Sequence, residues 1–298
     1  MASPTTLSAP TKTRQNVRRR RPGKPRRTDG QVAPIVERLG LPVVALFVLF
    51  PIFWMALTAF KPRSSIYTLE WLIVPTLENF AAILRPPRSF DILTLNSVLV
   101  SVGTVAIAIP VASLAAYGFS RLDFPGNRTI FVGLLATQFV PPVALALPFF
   151  MLYRDVGLLD TRLGLIIVNL SIIVPYSTWL IKGFVDTVPK EVDEAAMVDG
   201  CGPIAVAFRI TLRLAAPGIM VATVFAFVAS WNEFLYPLLL TSREAVTLPV
   251  GLMRTLGAEG IMWEQMAAGG MLVMVPMLVL SIAIRKHFAE GLTMGSVK

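Results

Sequence analysis

The feature that most limits what this chain can fold into is the spacing of its charges. Uncharged runs cover Leu39–Phe60, Ile92–Ser120, Thr129–Tyr153, Leu163–Ile181 and Gln265–Ile284, and a sixth, Leu214–Ser242, is interrupted only by Glu233. Each is about as long as the roughly 18 to 20 residues that cross a bilayer. A helix in a soluble domain keeps a polar face and ends after about 8–20 residues, so a soluble core does not account for so many long apolar runs. Of the 298 residues, 55% are hydrophobic and only 15% charged. The expectation is an all-α polytopic membrane protein with six transmembrane helices.

Orientation follows from where Lys and Arg fall. The densest run, "KTRQNVRRRRPGKPRR" from Lys12 to Arg27, has no interleaved aromatics, is rich in Pro and Gly, and leads directly into the first span. It reads as a disordered basic cytoplasmic tail, residues 1–33, lying near anionic lipid rather than nucleic acid. The apolar run that follows is too long for a signal peptide and lacks a small-residue cleavage site, so it is expected to stay in place. With the tail inside, six spans return the C-terminus inside, and most of the 27 basic residues become cytoplasmic. The loops at Arg121–Arg128, Lys182–Arg213 and Arg285–Lys298 are then internal; those at Lys61–Asp91, Arg154–Arg162 and Arg243–Glu264 are external. The short "YRDVGLLDTR" connection predicts that the helices on either side of it are antiparallel neighbours.

Several chemistries are excluded by what the chain lacks. One cysteine, Cys201, rules out an intramolecular disulfide or a thiolate cluster, and the single His287 sits beside Arg285 and Lys286 as a helix-end cation. No His-Glu-x-x-His pair, no Ser with a usable His and no Gly-x-x-x-x-Gly-Lys-Ser/Thr loop occurs. No metal site, cofactor site or enzyme is expected. The polar residues within the apolar runs, Asn96, Gln138, Asn169, Asn232 and Glu233, together with Trp231, form a possible substrate pathway. Such side chains equally serve as hydrogen-bonding glue between helices. A polar but nearly uncharged lining suits a neutral hydroxylated solute. Prolines at 110, 141, 142, 148, 175, 237 and 276 are expected to kink the spans, and those near Pro141-Pro142 and Pro175 to shape the path.

The longest internal loop carries "EVDEAAMVDGCGP", Glu191–Pro203. Pro189 suits the start of a helix, and Glu191, Asp193 and Glu194 complement its N-terminal dipole. Ala195 and Ala196 permit close approach by another surface. Gly200 is placed to end the helix in a left-handed conformation. Gly202-Pro203 then starts a second helix in a new direction, expected to carry Phe208, Ile210 and Leu212 back toward the fifth span. This is a docking lever, about residues 186–213, rather than a solvated acidic loop.

Glu194-Ala195-Ala196, three residues, Gly200, nine residues, then Ile210-x-Leu212 resembles the EAA motif, the cytoplasmic coupling loop of membrane subunits in bacterial ATP-binding cassette importers. Its position before the penultimate span agrees. "AYGFSRLDFPGNR", "PPVALALPFFMLYRDVGLLDTRLGLI", "SWNEFLYPLLLT", "TLPVGL" and the terminal "GLTMGSVK" are similar to stretches of the carbohydrate permeases of the maltose-transporter type. The resemblance covers nearly all of residues 34–298, which form one permease domain. It implies half of a translocation pathway in a bacterial inner membrane, multi-pass, with both termini cytoplasmic. It implies as partners a second permease subunit, two ATPase subunits that bind ATP and Mg, an extracytoplasmic solute-binding protein, and a sugar substrate. A polyol or glycerol-phosphate solute, or an ion-coupled carrier, is the alternative. Glu194, Ala195, Ala196, Asp199, Gly200, Ile210 and Leu212 would make the ATPase-coupling loop. One position departs from the family pattern: Arg213 stands where a proline is usual, and the nearest proline is Pro217. Arg213 is expected to pair with a nearby acid or to meet lipid headgroups.

Overall fold

The structure, a computed structural model, describes residues 32–68, 74–253, 255–257 and 260–294, with backbone alone over 32–39, 41, 256, 257, 260 and 283–294. All but the end of the basic tail expected over residues 1–33, and the terminal Gly295–Lys298, lie outside the described residues, as does the side chain of His287. The chain divides into two units, Met1–Pro51 and Ile52–Lys298. What is described of the first is the leading part of helix α1 (Val32–Ala59), whose side chains from Pro42 to Pro51 are exposed.

Four helices are long and apolar enough to cross a membrane, over Pro42–Ala59, Phe90–Arg121, Arg162–Val185 and Trp263–Ile282. Two bent pairs raise the number to six if each pair is one span. Where the sequence leads to six spans, the described residues carry four to six, and the two bent pairs are not straight rods. In the third, α4 (Asn127–Ala136) runs into a 3-10 turn at Thr137–Phe139, and α5 (Pro142–Asp155) then leaves at 94°. The cause is the proline pair: Pro141 drives Val140 to an extended conformation (φ −74°, ψ 120°), and Pro142 has no N–H to continue the ladder. Lone prolines act differently. Pro110 in α3 (Phe90–Arg121), Pro175 in α6 (Arg162–Val185) and Pro276 in α13 (Trp263–Met294) each sit inside an unbroken helix.

The fifth run also departs from expectation. It ends as α10 (Ala216–Trp231), and after a break at 232–234 the chain resumes in the short α11 (Leu235–Leu240). Glu233 stands in that break, where its carboxylate accepts the Tyr236 N–H at 3.1 Å and so caps α11. Between the first and second spans lies the short helix α2 (Glu78–Leu84). Beyond α11 come α12 (Leu248–Met253) and a two-residue antiparallel hairpin, β1 (Leu256–Gly257) with β2 (Gly260–Ile261).

Helices α3, α6 and α10 pack as the centre of the second unit. Beyond Phe90, Leu93, Asn96 and Val100, what α3 turns inward is small: Ser97, Ser101, Thr104, Ala108, Ala112, Ser113 and Ala116 are all buried. Small faces let membrane helices approach until their backbones nearly touch, because lipid provides no hydrophobic drive to association and close van der Waals packing must do it. Gly218 of α10 uses its missing side chain differently: Phe184 of α6 fills the space over it, and a Cβ there would lie 2.1 Å from the Phe184 Cγ. Helix α5 was expected to lie along α6 but packs mainly on α11, with Tyr236 buried between Phe149 and the α5 backbone.

Candidate functional site

Helix α7 (Lys190–Val198) is the first arm of the elbow. Pro189 is extended (φ −58°, ψ 136°) and serves as its N-cap, while Glu191 and Asp193 occupy the first turn. Its end is a Schellman turn: Gly200 N–H bonds Met197 C=O at 3.1 Å and Cys201 N–H reaches back to Ala196 C=O at 3.0 Å. That geometry needs the left-handed backbone Gly200 adopts, at φ +91°. The second arm starts at Pro203 as α8 (Pro203–Val206), passes through a π turn at Ala207–Thr211, and finishes in α9 (Leu212–Leu214). This arm meets α10 at a 76° bend, with Pro217 in the first turn of α10.

The elbow is fastened to the bundle by charge. Arg121, the last residue of α3, puts its Nε 2.6 Å from the Asp193 carboxylate, with both side chains more than nine-tenths buried (7% and 6% exposed). A second guanidinium nitrogen donates to Val188 C=O at 2.6 Å. The other carboxylate oxygen of Asp193 accepts the Thr211 hydroxyl at 2.6 Å, so one buried acid joins α3, α7 and the second arm. Beside it, Asp186 accepts the Ser120 hydroxyl at 2.5 Å and Lys182 Nζ at 2.7 Å, and Lys182 lies over the Phe131 ring of α4. Each ion has a helix end of the favourable sign: Arg121 at a C-terminus, Asp193 at an N-terminus. From the sequence, Arg121 counts only as a topogenic charge bounding an internal loop, and nothing there joins it to Asp193 and Thr211.

What the elbow leaves outside is a mixed acidic and apolar surface. Glu194, Ala195, Asp199 and Gly200 are exposed, whereas Ala196 is buried within the elbow itself. Around them stand Met197, Val198 (88% exposed), Ile204 (75%) and Phe208. Leu212 points inward and Ile210 is half-buried, but Phe208, expected to turn back toward the fifth span, faces out. Arg213 is exposed and makes no ion pair among the described residues.

The expected pathway residues are scattered. The Asn96 amide is saturated, donating to Glu244 C=O (2.8 Å) and Val246 C=O (2.9 Å) and accepting from Arg162 Nε (2.8 Å). Asn169 donates to the Ser230 hydroxyl at 2.9 Å, and Trp231 to Val273 C=O at 3.1 Å, both buried. These three join helices. Asn232 is exposed and bonds back to Val228 C=O. Gln138 is exposed and lines a cavity of about 630 Å³ at the α4–α5 break, with Pro142, Phe149, Ser171, Pro175 and Tyr236 among its walls.

At the opposite end of the bundle, Asp160 holds the connection between α5 and α6 against the segment after α11. Its carboxylate accepts N–H bonds from Ser242, Arg243, Glu244 and Ala245 at 3.0–3.2 Å and the Ser242 hydroxyl at 2.9 Å. Partial burial pushes this carboxyl up, but the backbone N–H groups of Ala245, Ser242 and Glu244 and the Ser242 hydroxyl outweigh it and bring the pKa down to about 2.

Residues 108–293 match the family described as "binding-protein-dependent transport system inner membrane component". The diacetylchitobiose uptake system permease protein DasC of Streptomyces coelicolor is 32% identical over 275 residues, covering 90% of this chain and 98% of that one. The trehalose transport system permease protein SugB of Mycobacterium tuberculosis is 30% identical over 264 residues, 86% of this chain and 94% of that protein. Among solved structures, a bacterial ABC transporter involved in the import of the acidic polysaccharide alginate shares the fold, with a TM-score of 0.74, 21% identity, and coverage of 86% and 96%.

Proposed function

Because the chain belongs to the family of binding-protein-dependent transport system inner membrane components, we propose that it forms half of the translocation pathway of an ATP-driven importer for a sugar or oligosaccharide. It is a permease subunit and not itself an enzyme. The solute class rests on relatives whose own cargo is named as diacetylchitobiose and trehalose. The exposed amide of Gln138, in a cavity with no charged wall, is consistent with a neutral hydroxylated solute.

The partners we infer are a second permease subunit, an extracytoplasmic solute-binding protein and two ATPase subunits; ATP and Mg bind to the ATPases, not to this chain. The elbow at about 186–213 faces the cytoplasm with both termini, and Glu194, Ala195, Asp199 and Gly200 present it to the ATPase. Ala196, Ile210 and Leu212 hold its inner face together.

One observation carries this reading. A nine-residue helix closed by a Schellman turn and clamped by a buried ion pair exposes Val198, Ile204 and Phe208 at the same protrusion. Exposed apolar side chains on a rigid, acid-rimmed knob are the features of a surface that docks into a cleft. Cys201, exposed at the corner of the elbow, provides the test. Coexpressed with the ATPase subunit of its own importer in inverted vesicles, Cys201 is expected to form a short-reach thiol cross-link to that subunit whose yield changes on adding ATP. A Cys201 that reacts freely with soluble maleimide yet never cross-links overturns the docking assignment.

A further inference from the structure

Helix α3 is tied to other elements by hydrogen bonds and an ion pair at both ends and by apolar packing between them. At the elbow end, Arg121 grips Asp193 and the Val188 carbonyl. At the far end, Asn96 holds the carbonyls of Glu244 and Val246, and the Ser97 hydroxyl accepts the Leu248 N–H at 2.8 Å. The two sets of bonds lie about 38 Å apart along a helix unbroken through Pro110. Between them α3 buries Val100, Ala108, Ala112 and Ala116, Ile166 of α6 packs over Gly103, and the buried hydroxyls of Ser101 and Thr104 have no hydrogen-bond partner among the described residues. These are van der Waals contacts, which lack the directionality of the hydrogen bonds and ion pair at either end. The directional contacts of α3 are therefore concentrated at its two ends.

We infer that α3 is a strut joining the coupling elbow to the 241–248 segment at the opposite face, and that Arg121 is the positioning residue that engages it. This rests on the assignment of the elbow as the ATPase-docking loop. When the elbow moves, Asp193 and Val188 pull on Arg121, and α3 conveys the displacement to the segment held by Asn96 and Ser97. That segment is also the one whose N–H groups grip Asp160, so the movement reaches the α5–α6 connection as well. Spans joined directly to the elbow by the chain are α6 and α10. The strut adds a third, and gives the ATPase side a physical link to the face where a solute-binding protein would arrive.

The test places a reporter thiol at the far end and breaks the near one. Arg243 is exposed, so Arg243→Cys in a Cys201→Ser background reports from the outside with a membrane-impermeant maleimide, the complete importer being reconstituted in vesicles with ATP added to the ATPase side. Labelling is expected to differ with and without ATP in the parent. Arg121→Gln is expected to abolish that difference, while the native Cys201, in a parallel sample carrying the same Arg121→Gln change, still cross-links to the ATPase. Arg121→Lys keeps the charge opposite Asp193 but not the second contact to Val188; it is expected to restore part of the difference, and it substitutes for Arg121→Gln if that variant does not reach the membrane. A labelling difference unchanged in both Arg121 variants overturns the strut, as does a parent whose elbow cross-links but whose Arg243→Cys thiol ignores ATP. Failure of Cys201 to cross-link in the parent overturns the docking reading and the strut with it.

Discussion

A buried ion pair is a poor source of stability and a good source of registry, and Asp193 illustrates both halves of that statement. Removing two charges from water costs several kcal/mol, which the attraction between Arg121 and Asp193 offsets only because the geometry is tight and Thr211 and Val188 satisfy the remaining valences. Removing one partner is the costly step. Asp193→Ala leaves Arg121 buried and uncompensated, and is expected to destabilise the detergent-purified protein by about 3–5 kcal/mol, read as a lowered thermal midpoint; Thr211→Val, which removes one hydrogen bond, should cost about 1–2 kcal/mol. Asp160 makes the opposite kind of contact, an acid held by backbone N–H groups near the surface. Its folded pKa is near 2, against an ordinary value of 3.8. A depressed acid contributes its full stability above the ordinary value and loses it as pH falls through the folded one. Asp160→Asn should therefore be less stable than the parent at about pH 6, by roughly 1 kcal/mol after allowance for solvent screening. The gap should close as pH drops from about 4 toward about 2. A gap that stays constant across thermal melts in that range would show that the charge is not what holds the segment.

At the scale of the element, local backbone chemistry was legible and pairing was not. Gly200 and Pro203 could be read as a stop and a start because each answers a requirement of its own residue, a positive φ and a first-turn position. The long apolar runs were equally plain, since a span is a property of consecutive residues. Arg121 and Asp193 are 72 positions apart, and nothing in either neighbourhood announces the other. Asn96 and Gln138 look alike as polar residues in apolar runs; one faces a neighbouring segment and is saturated, the other faces a cavity, and only the rotation of each helix decides. In the sequence Pro141-Pro142 reads as a kink like the other prolines, but single prolines are absorbed in unbroken helices, as Pro110, Pro175 and Pro276 are here. Two in succession deny the helix both a usable backbone conformation and a donor. The close approach of α6 and α10 gives an element-level prediction. Gly218→Leu must displace Phe184, whose Cγ lies 2.1 Å from the position of a new Cβ. Overpacking of this kind is expected to cost about 1–3 kcal/mol or more, visible as a lower thermal midpoint with the elbow unaltered in Cys201 labelling. Gly200→Ala should act on the elbow instead. A left-handed backbone with a Cβ costs about 1–2 kcal/mol, enough to fray the Schellman turn and raise the maleimide reactivity of Cys201 without lowering the amount of protein in the membrane.

For the whole molecule, the elbow matters only if what binds it prefers one arrangement of the helices to another. A partner that binds both arrangements equally shifts nothing, however tight its grip, and a shift from 1:99 to 99:1 needs about 5.5 kcal/mol of preference. On the docking reading proposed above, the chain's contribution to that preference is rigidity: an elbow that flexed on its own would absorb the motion of the ATPase instead of passing it to α3, α6 and α10. On that reading its interior, held by Arg121, Asp193 and Thr211, and its surface, formed by Glu194, Val198, Ile204 and Phe208, would have separable duties. Surface substitutions should abolish docking and leave stability alone. Glu194→Lys, at an exposed position where the structure shows no partner to lose among the described residues, is expected to change the thermal midpoint by no more than about 0.5 kcal/mol while abolishing copurification of the ATPase subunit and, with it, uptake of the solute. Val198→Asp should do the same by placing a charge at the most exposed apolar point of the elbow. Interior substitutions should show the reverse, with Thr211→Val retaining the ATPase but lowering uptake per molecule bound. If Glu194→Lys and Val198→Asp both copurify the ATPase at parental levels, the partner grips the chain elsewhere, and the rigidity of this elbow serves some other contact.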